Sequence, residues 1–145
     1  MERALRYATG LYLIGLVAHT ADHLRRGTGV LTHHVFWAGN LSTLAGVITV
    51  VLVFSRHRLA PVMAAAFGLP VAIGVAAVHL LPHWSVFSDA FPGAAPASRV
   101  EAISYAVVII EIIGAALTGI IAMRILARDR QLQRAGTRRT LPPVP

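Results

Sequence analysis

Long, unbroken apolar runs dominate the hydrophobic pattern of this chain. Four of them stand out, at residues 5–21, 35–54, 59–81 and 102–123, and polar or glycine- and proline-rich segments separate them. Each is close to the roughly 20 residues that an α-helix needs to cross a hydrocarbon core of about 30 Å. The runs do not alternate as barrel strands would, and backbone groups inside lipid must pair within the segment. The pattern therefore predicts membrane-spanning helices.

These runs predict an all-α fold, an integral membrane four-helix bundle in residues 1–128. The expected helices cover about 5–24, 34–55, 59–81 and 99–127. Thr32 is placed to N-cap the second helix. Ser98 and Glu101 have the spacing of a capping box that would start the fourth. A tight hairpin is expected at 55–59, and the longest loop at 85–97. Residues 129–145 are basic and end in a proline-rich sequence, which predicts a disordered tail.

The composition favours a membrane protein and excludes several kinds of chemistry. Hydrophobic residues make up 56% of the chain and charged residues only 13%, which is too apolar for an ordinary soluble domain. The chain has no cysteine, so disulfides, thiolate metal sites and iron–sulfur clusters are excluded. No phosphate-binding loop, dinucleotide fingerprint or serine-hydrolase motif occurs.

The arginines predict how the bundle is oriented. The net charge of +7 involves no lysine, and the predicted threading puts ten arginines on one side of the bilayer and three on the other. The larger group is Arg3, Arg6, Arg56, Arg58, Arg124, Arg128, Arg130, Arg134, Arg138 and Arg139, and the smaller is Arg25, Arg26 and Arg99. By the positive-inside rule, both termini and the tail are cytoplasmic. We expect a multi-pass protein of the cytoplasmic (plasma) membrane, the inner membrane of a bacterium.

The arginine-rich C-terminal segment also bears on partners. Such clusters bind anionic lipid headgroups at about 1 kcal/mol per residue, although they can also serve only to set topology. No aromatic residues interleave these arginines and no nucleic-acid-binding motif accompanies them, so no nucleic-acid partner is predicted. A homo-oligomer or a larger membrane complex is left open.

The same threading gathers metal-ligating side chains at the outward end of the bundle. Six of the seven histidines lie there with two acids: His19, Asp22, His23, His33, His34, His79, His83 and Glu101. Membrane segments normally lack such residues, so their presence predicts a functional site. Imidazole and carboxylate ligands without sulfur suit zinc, non-haem iron, manganese or copper(II).

Helical spacing selects the candidate ligands from this group. His19 and His23 are four residues apart on one helix face, as are His79 and His83. Pro82 disrupts the turn between the second pair and leaves their relative direction open. Asp22 is either a ligand or an orienting partner. The predicted ligands of a divalent transition metal, zinc or non-haem iron, are His19, Asp22, His23, His79 and His83.

Two acids are the predicted catalytic groups if the site is an enzyme's. Glu111 lies well inside the fourth apolar run, and Glu101 lies at its start. Either can carry a proton in acid–base chemistry. Whether the site is catalytic is left open by the sequence, as is a role for Glu101 only in the capping box.

Two other functions remain open. The first is a non-enzymatic accessory or scaffolding membrane subunit, in which His33, His34 and His83 lie among lipid headgroups beside Trp37 and Trp84. The second is a haem-b electron carrier, with one histidine each from the first and third helices as axial ligands. His19 and His79 are the candidates for that pair.

Overall fold

A computed structural model of the protein describes residues 2–140, apart from the side chains of Thr28 and of residues 136–140. Within these residues the fold is all-α, with four long helices and no strand, as predicted. The helices are α1 (Glu2–Arg26), α2 (His33–Phe54), α3 (Ala60–His79) and α4 (Ala102–Thr140), and single 3-10 turns lie at Thr28–Val30 and Pro96–Ser98.

Three of the four helices are long and apolar enough to cross a membrane. They are α2, α3 and the part of α4 at Ala102–Ala135. α1 has sufficient length but falls outside this set, because arginines near its ends and the polar group around His19 lower its mean hydropathy. Length and composition therefore support a membrane protein and identify three of the four predicted helices as candidate spans.

Small residues bring α1 and α4 into close contact. Gly15 of α1 lies against the backbone of Glu111, and Gly114 of α4 lies against the backbone of Tyr12. A Cβ atom at either glycine would collide with the facing backbone. Small residues allow this kind of close helix approach in membranes, where lipid is as apolar as the side chains. This contact fixes the rotation of α1 about its own axis and so turns the polar face of α1 toward the interior of the bundle.

The packing of α3 on α4 depends on a similar pair. Gly68 and Gly119 face each other, and a Cβ atom at Gly68 would collide with the backbone of α4. Gly74, by contrast, is exposed, and a Cβ atom there would meet no other atom within 4 Å. α4 thus lies between α1 and α3 as the central helix.

The interior changes from apolar to polar along the bundle. Beside the α2–α3 connection the core consists of Leu5, Val53, Ala60, Ala64, Ala122 and Ile125. The middle layer is Tyr12, Leu16, Phe67, Ala72 and Ala115. Beyond it, polar residues are buried toward the opposite end, including His19, His79 and Glu111. The candidate site therefore lies at the end farthest from the α2–α3 connection.

The helix ends agree with the sequence patterns in part. The Thr32 hydroxyl accepts from the Val35 backbone N–H at 3.1 Å, which confirms the predicted N-cap of α2. The capping box predicted at 98–101 does not form, because Ser98 lies in a 3-10 turn and Arg99 is left-handed, with φ of 52°. Instead, the Ser104 hydroxyl accepts from the Glu101 N–H at 3.3 Å.

The two ends of α4 differ from the expected bounds. The helix begins at Ala102 rather than at 99, because the left-handed turn precedes it. It continues to Thr140, past the expected end at 127. Arginine, glutamine, leucine and alanine, which are good helix formers, fill most of this extension. Residues 141–145 of the predicted tail lie outside the described residues.

Candidate metal centre

Three histidines from two helices meet at the polar end of the bundle. His19 and His23 lie one turn apart on α1, and His79 is the last residue of α3. One ring nitrogen from each lies within 4.8 Å of the others. The ring centroids are 4.5 Å apart for His19–His23 and 4.7 Å apart for His19–His79. Among the described residues, these three histidines are the group of three or more histidine or acidic side chains that lie close enough together to share one metal ion.

Glu111 holds the ring of His19 from the neighbouring helix. The His19 Nδ1 atom lies 2.5 Å from a Glu111 carboxylate oxygen, and both residues are buried. With the Glu111 oxygen as the acceptor, the imidazole proton lies on Nδ1 and Nε2 keeps its lone pair. The Nε2 atom is buried and has no hydrogen-bond partner. This arrangement resembles the carboxylate–histidine pairs that orient metal ligands.

The backbone and side chain of Asp89 hold His79 in a similar way. The His79 Nδ1 atom lies 3.2 Å from the Asp89 carbonyl oxygen and 3.4 Å from its carboxylate. A carbonyl oxygen only accepts, so Nδ1 carries the proton and Nε2 is free to bind a ligand. The Asp89 carboxylate also lies 3.9 Å from the His23 Nδ1 atom. Asp89 therefore contacts two of the three histidines.

Arg26 anchors Asp89 over the site. Its guanidinium donates two hydrogen bonds to the carboxylate, at 2.7 and 2.8 Å, and its Nε–H donates to the Ser98 carbonyl. Both charged groups are buried, and the guanidinium also lies over the Phe91 ring. Burial alone raises the pKa of the Asp89 carboxyl, but hydrogen bonds from His79 and Arg26 and the Arg26 charge outweigh it and lower the pKa below its usual value. Asp89 is therefore ionised at neutral pH.

A cavity of about 310 Å³ lies beside the three histidines. Its walls come mostly from α1, α2 and α3, with Leu31 and Phe87 from two connections and Glu111 from α4. Apolar side chains form most of the lining, and Asn40, Ser42 and Thr43 of α2 add polar groups. Concave, mostly apolar sites with a few converging polar groups are typical of ligand sites. The histidine cluster is thus open to a small molecule on one side.

The other predicted site residues lie outside the cluster. Asp22 is buried, and one of its carboxylate oxygens accepts a hydrogen bond from Arg25 at 2.9 Å. Glu101 is exposed and forms an ion pair with the same arginine, also at 2.9 Å. His83 is exposed in the segment after α3. The structure thus brings together three of the five predicted ligands, together with Glu111.

The sequence patterns did not predict Asp89 and Arg26 as site residues. A signal for Asp89 was present, since it is the one acid in the loop predicted at 85–97. Helical spacing predicts contacts only within a helix, and Asp89 lies in a loop. Its contact with His79 therefore depends on the path of that loop, which the spacing of residues does not predict. Arg26 was counted only as a topological charge, although its side chain is fully buried.

The arrangement of the rings favours a small ion over haem. Axial imidazoles lie on opposite faces of a porphyrin, each with a metal–nitrogen bond of about 2 Å. Their ring centroids are then farther apart than the 4.7 Å between His19 and His79. The third histidine also lies against the same pair, where a bis-histidine haem needs no further ligand.

Fold and site together define an all-α protein with three membrane-capable helices and a three-histidine cluster that can hold a metal ion. No protein-family model, curated protein or solved structure matches the chain.

Proposed function

We propose that the protein is a multi-pass membrane protein that binds one divalent transition-metal ion through His19, His23 and His79. The observation that carries this proposal is the meeting of their ring nitrogens within 4.8 Å beside a cavity. Metal–nitrogen bonds of about 2.0–2.1 Å require the rings to close slightly around the ion. Zinc and non-haem iron both suit imidazole ligands.

The proposed site has the number of protein ligands that is typical of a catalytic metal centre with an open coordination position. Three protein ligands leave a coordination position free, and the cavity gives a small molecule access to it. A metal ion held by His19, His23 and His79 would supply Lewis-acid chemistry at this position. Glu111 orients His19 and also lines the cavity, so it is our candidate for the proton-carrying group. Glu101, which is exposed and paired with Arg25, is the weaker candidate.

The membrane arrangement we propose is a four-helix bundle with both termini cytoplasmic and the metal centre at the outward end. α2, α3 and α4 are apolar enough to span. α1 packs along α4 with its polar residues inward, while Tyr7, Ile14 and Val17 are exposed on its other face. A helix with this pattern can cross beside α4 despite its lower hydropathy. The ten-to-three arginine distribution supports the orientation.

The basic end of α4 is the proposed contact with anionic lipid headgroups. Arg124, Arg128, Arg130 and Arg134 are exposed along this part of the helix. Exposed arginines near a cytoplasmic leaflet attract anionic lipids. Assembly into a homo-oligomer or a larger complex remains a further proposal.

Metal analysis of the purified protein tests the main proposal. The protein in detergent, loaded with Zn²⁺ or Fe²⁺ and passed through a desalting column, should retain about one ion per chain by elemental analysis. His79→Ala should lose most of it. His33→Ala and His83→Ala remove exposed histidines outside the cluster and should retain it.

Two results would contradict the proposal. Wild-type protein that retains no stoichiometric metal would favour a non-enzymatic accessory subunit, which should also tolerate single histidine substitutions and copurify with a larger complex. A Soret band in the absorption spectrum of the same sample would instead identify the haem-b alternative.

A further inference from the structure

We infer that the cavity beside the histidines binds a single-chain bilayer lipid, with its oxygen-bearing head group, a carboxylate or a hydroxyl, against His19, His23 and His79. This inference rests on the proposed membrane placement and metal site, and it specifies the class of ligand that the site takes. It follows from where the cavity opens, what lines it and how large it is.

The opening lies in the side of the bundle, between α1 and α2. The lining residues that are exposed include Thr20 and Leu24 on α1 and Phe36 and Asn40 on α2. Closer to the α2–α3 connection, α2 packs against the rest of the bundle, where Gly46 contacts Tyr12 and Phe67. The gap is therefore confined to the outward half of the two helices, where their exposed faces meet lipid in the proposed arrangement.

Contacts between two connections lie at the end of the bundle near the cavity. The Thr32 hydroxyl donates to the Val86 carbonyl at 2.6 Å, and the His34 ring lies 5.5 Å from the Phe87 ring. These contacts join the start of α2 to the loop between α3 and α4. Leu31 and Phe87, one from each connection, contribute to the cavity wall. Because the side opening between α1 and α2 faces lipid in the proposed arrangement, it favours a ligand that arrives from the bilayer.

The lining matches a molecule with one polar end. Leu16, Val35, Val75 and Val78 form an apolar surface. The ionisable side chains of the lining, the three histidines and Glu111, lie together at one part of the wall, whereas the polar side chains that α2 adds, Asn40, Ser42 and Thr43, are neutral. At about 310 Å³, the volume is near the lower limit of the roughly 300–1,000 Å³ of small-molecule sites. It accommodates a head group and part of one chain, with the rest extending into lipid.

A photolabelling experiment with a matched pair of glycine variants tests this inference. Gly39 lines the cavity, and a Cβ atom there meets nothing within 4 Å, so Gly39→Leu should fill the opening without disturbing the fold. Gly74→Leu makes the same change on the exposed face of α3, which also has open space. The metal-loaded protein in phosphatidylcholine nanodiscs is labelled with a diazirine-bearing fatty acid and the modified peptides are mapped by mass spectrometry.

The expected result is saturable labelling of cavity residues in the wild type and in Gly74→Leu. Gly39→Leu should reduce it at least fivefold while it retains its metal content and helical circular dichroism. Excess unlabelled fatty acid should compete with labelling in the wild type, a readout that does not depend on the variant folding. Labelling that is not competed, or that is confined to the lipid-facing residues of α2 such as Leu41 and Leu44, overturns the inference.

Metal content separates this inference from the proposed function. A protein that binds no metal but shows competed, Gly39-dependent labelling overturns the metal proposal and leaves the lipid site. A protein that binds metal but shows no such labelling overturns the lipid site and leaves the metal centre.

Discussion

At the scale of single residues, His19 shows how three helices determine the chemistry of one side chain. It belongs to α1, its Nδ1 atom contacts Glu111 of α4, and its ring lies against His79 of α3. A buried acid in an apolar run is costly unless it has a specific partner. The His19 ring supplies that partner, which explains why the chain tolerates Glu111 in the middle of α4.

The role of Glu111 as an orienting group leads to a prediction for metal affinity. Glu111→Gln keeps an oxygen acceptor but removes the charge, so we expect the affinity for Zn²⁺ to fall about 10- to 100-fold. Competition with a chromophoric chelator measures this. Glu101→Gln, which changes an exposed acid outside the cluster, should leave the affinity unchanged. Equal affinities of Glu111→Gln and wild type would show that Glu111 does not act through His19.

At the scale of secondary-structure elements, the site depends on how α1 and α4 are held together. Gly15 and Gly114 let the two backbones approach, and this contact brings His19 of one helix to Glu111 of the other. At the polar end of the bundle, the ion pair of Arg26 with Asp89 connects α1 to the loop that holds His79. Removing one partner of a buried ion pair costs about 3–5 kcal/mol, because the other charge is left uncompensated.

The close α1–α4 contact predicts that one added methyl group is enough to disturb the site. In Gly114→Ala the new Cβ atom collides with the Tyr12 backbone, so the helices must separate. Overpacking of this kind costs about 1–3 kcal/mol. We expect a lower Tm in detergent and weaker metal binding, since His19 moves with α1. Gly74→Ala is the matched control and should change neither, and equal Tm values for the two variants would contradict the role of this contact.

At the scale of the whole molecule, the main prediction concerns orientation in the membrane. The chain has no cysteine, so single cysteines can be labelled against a clean background. Ala97→Cys, in the α3–α4 loop near the site, should react with a membrane-impermeant maleimide in intact cells. Ser55→Cys, in the α2–α3 connection, should react only after permeabilisation. Both positions are exposed in the structure. The reverse pattern would place the metal centre on the cytoplasmic side.

Much of the architecture was predictable because it depends on local properties of the chain. The apolar runs predicted four helices, and the Thr32 cap fixed the start of α2 as expected. The start of α4 was mispredicted from the spacing of Ser98 and Glu101, because the left-handed Arg99 interrupts the turn. In the site, the i, i+4 spacing correctly joined His19 and His23. It also paired His79 with His83, and the structure leaves His83 exposed.

The sequence by itself determined four helices and the gathering of histidines toward one end, because the length of an apolar run and the need to pair backbone groups act locally along the chain. Only the tertiary structure decided which of those histidines meet. Side-chain direction around a helix depends on close contacts such as Gly114 with Tyr12. The position of Asp89 beside the histidines depends on a loop that Arg26 holds by hydrogen bonds. Both are contacts between residues far apart in sequence, which no local pattern specifies.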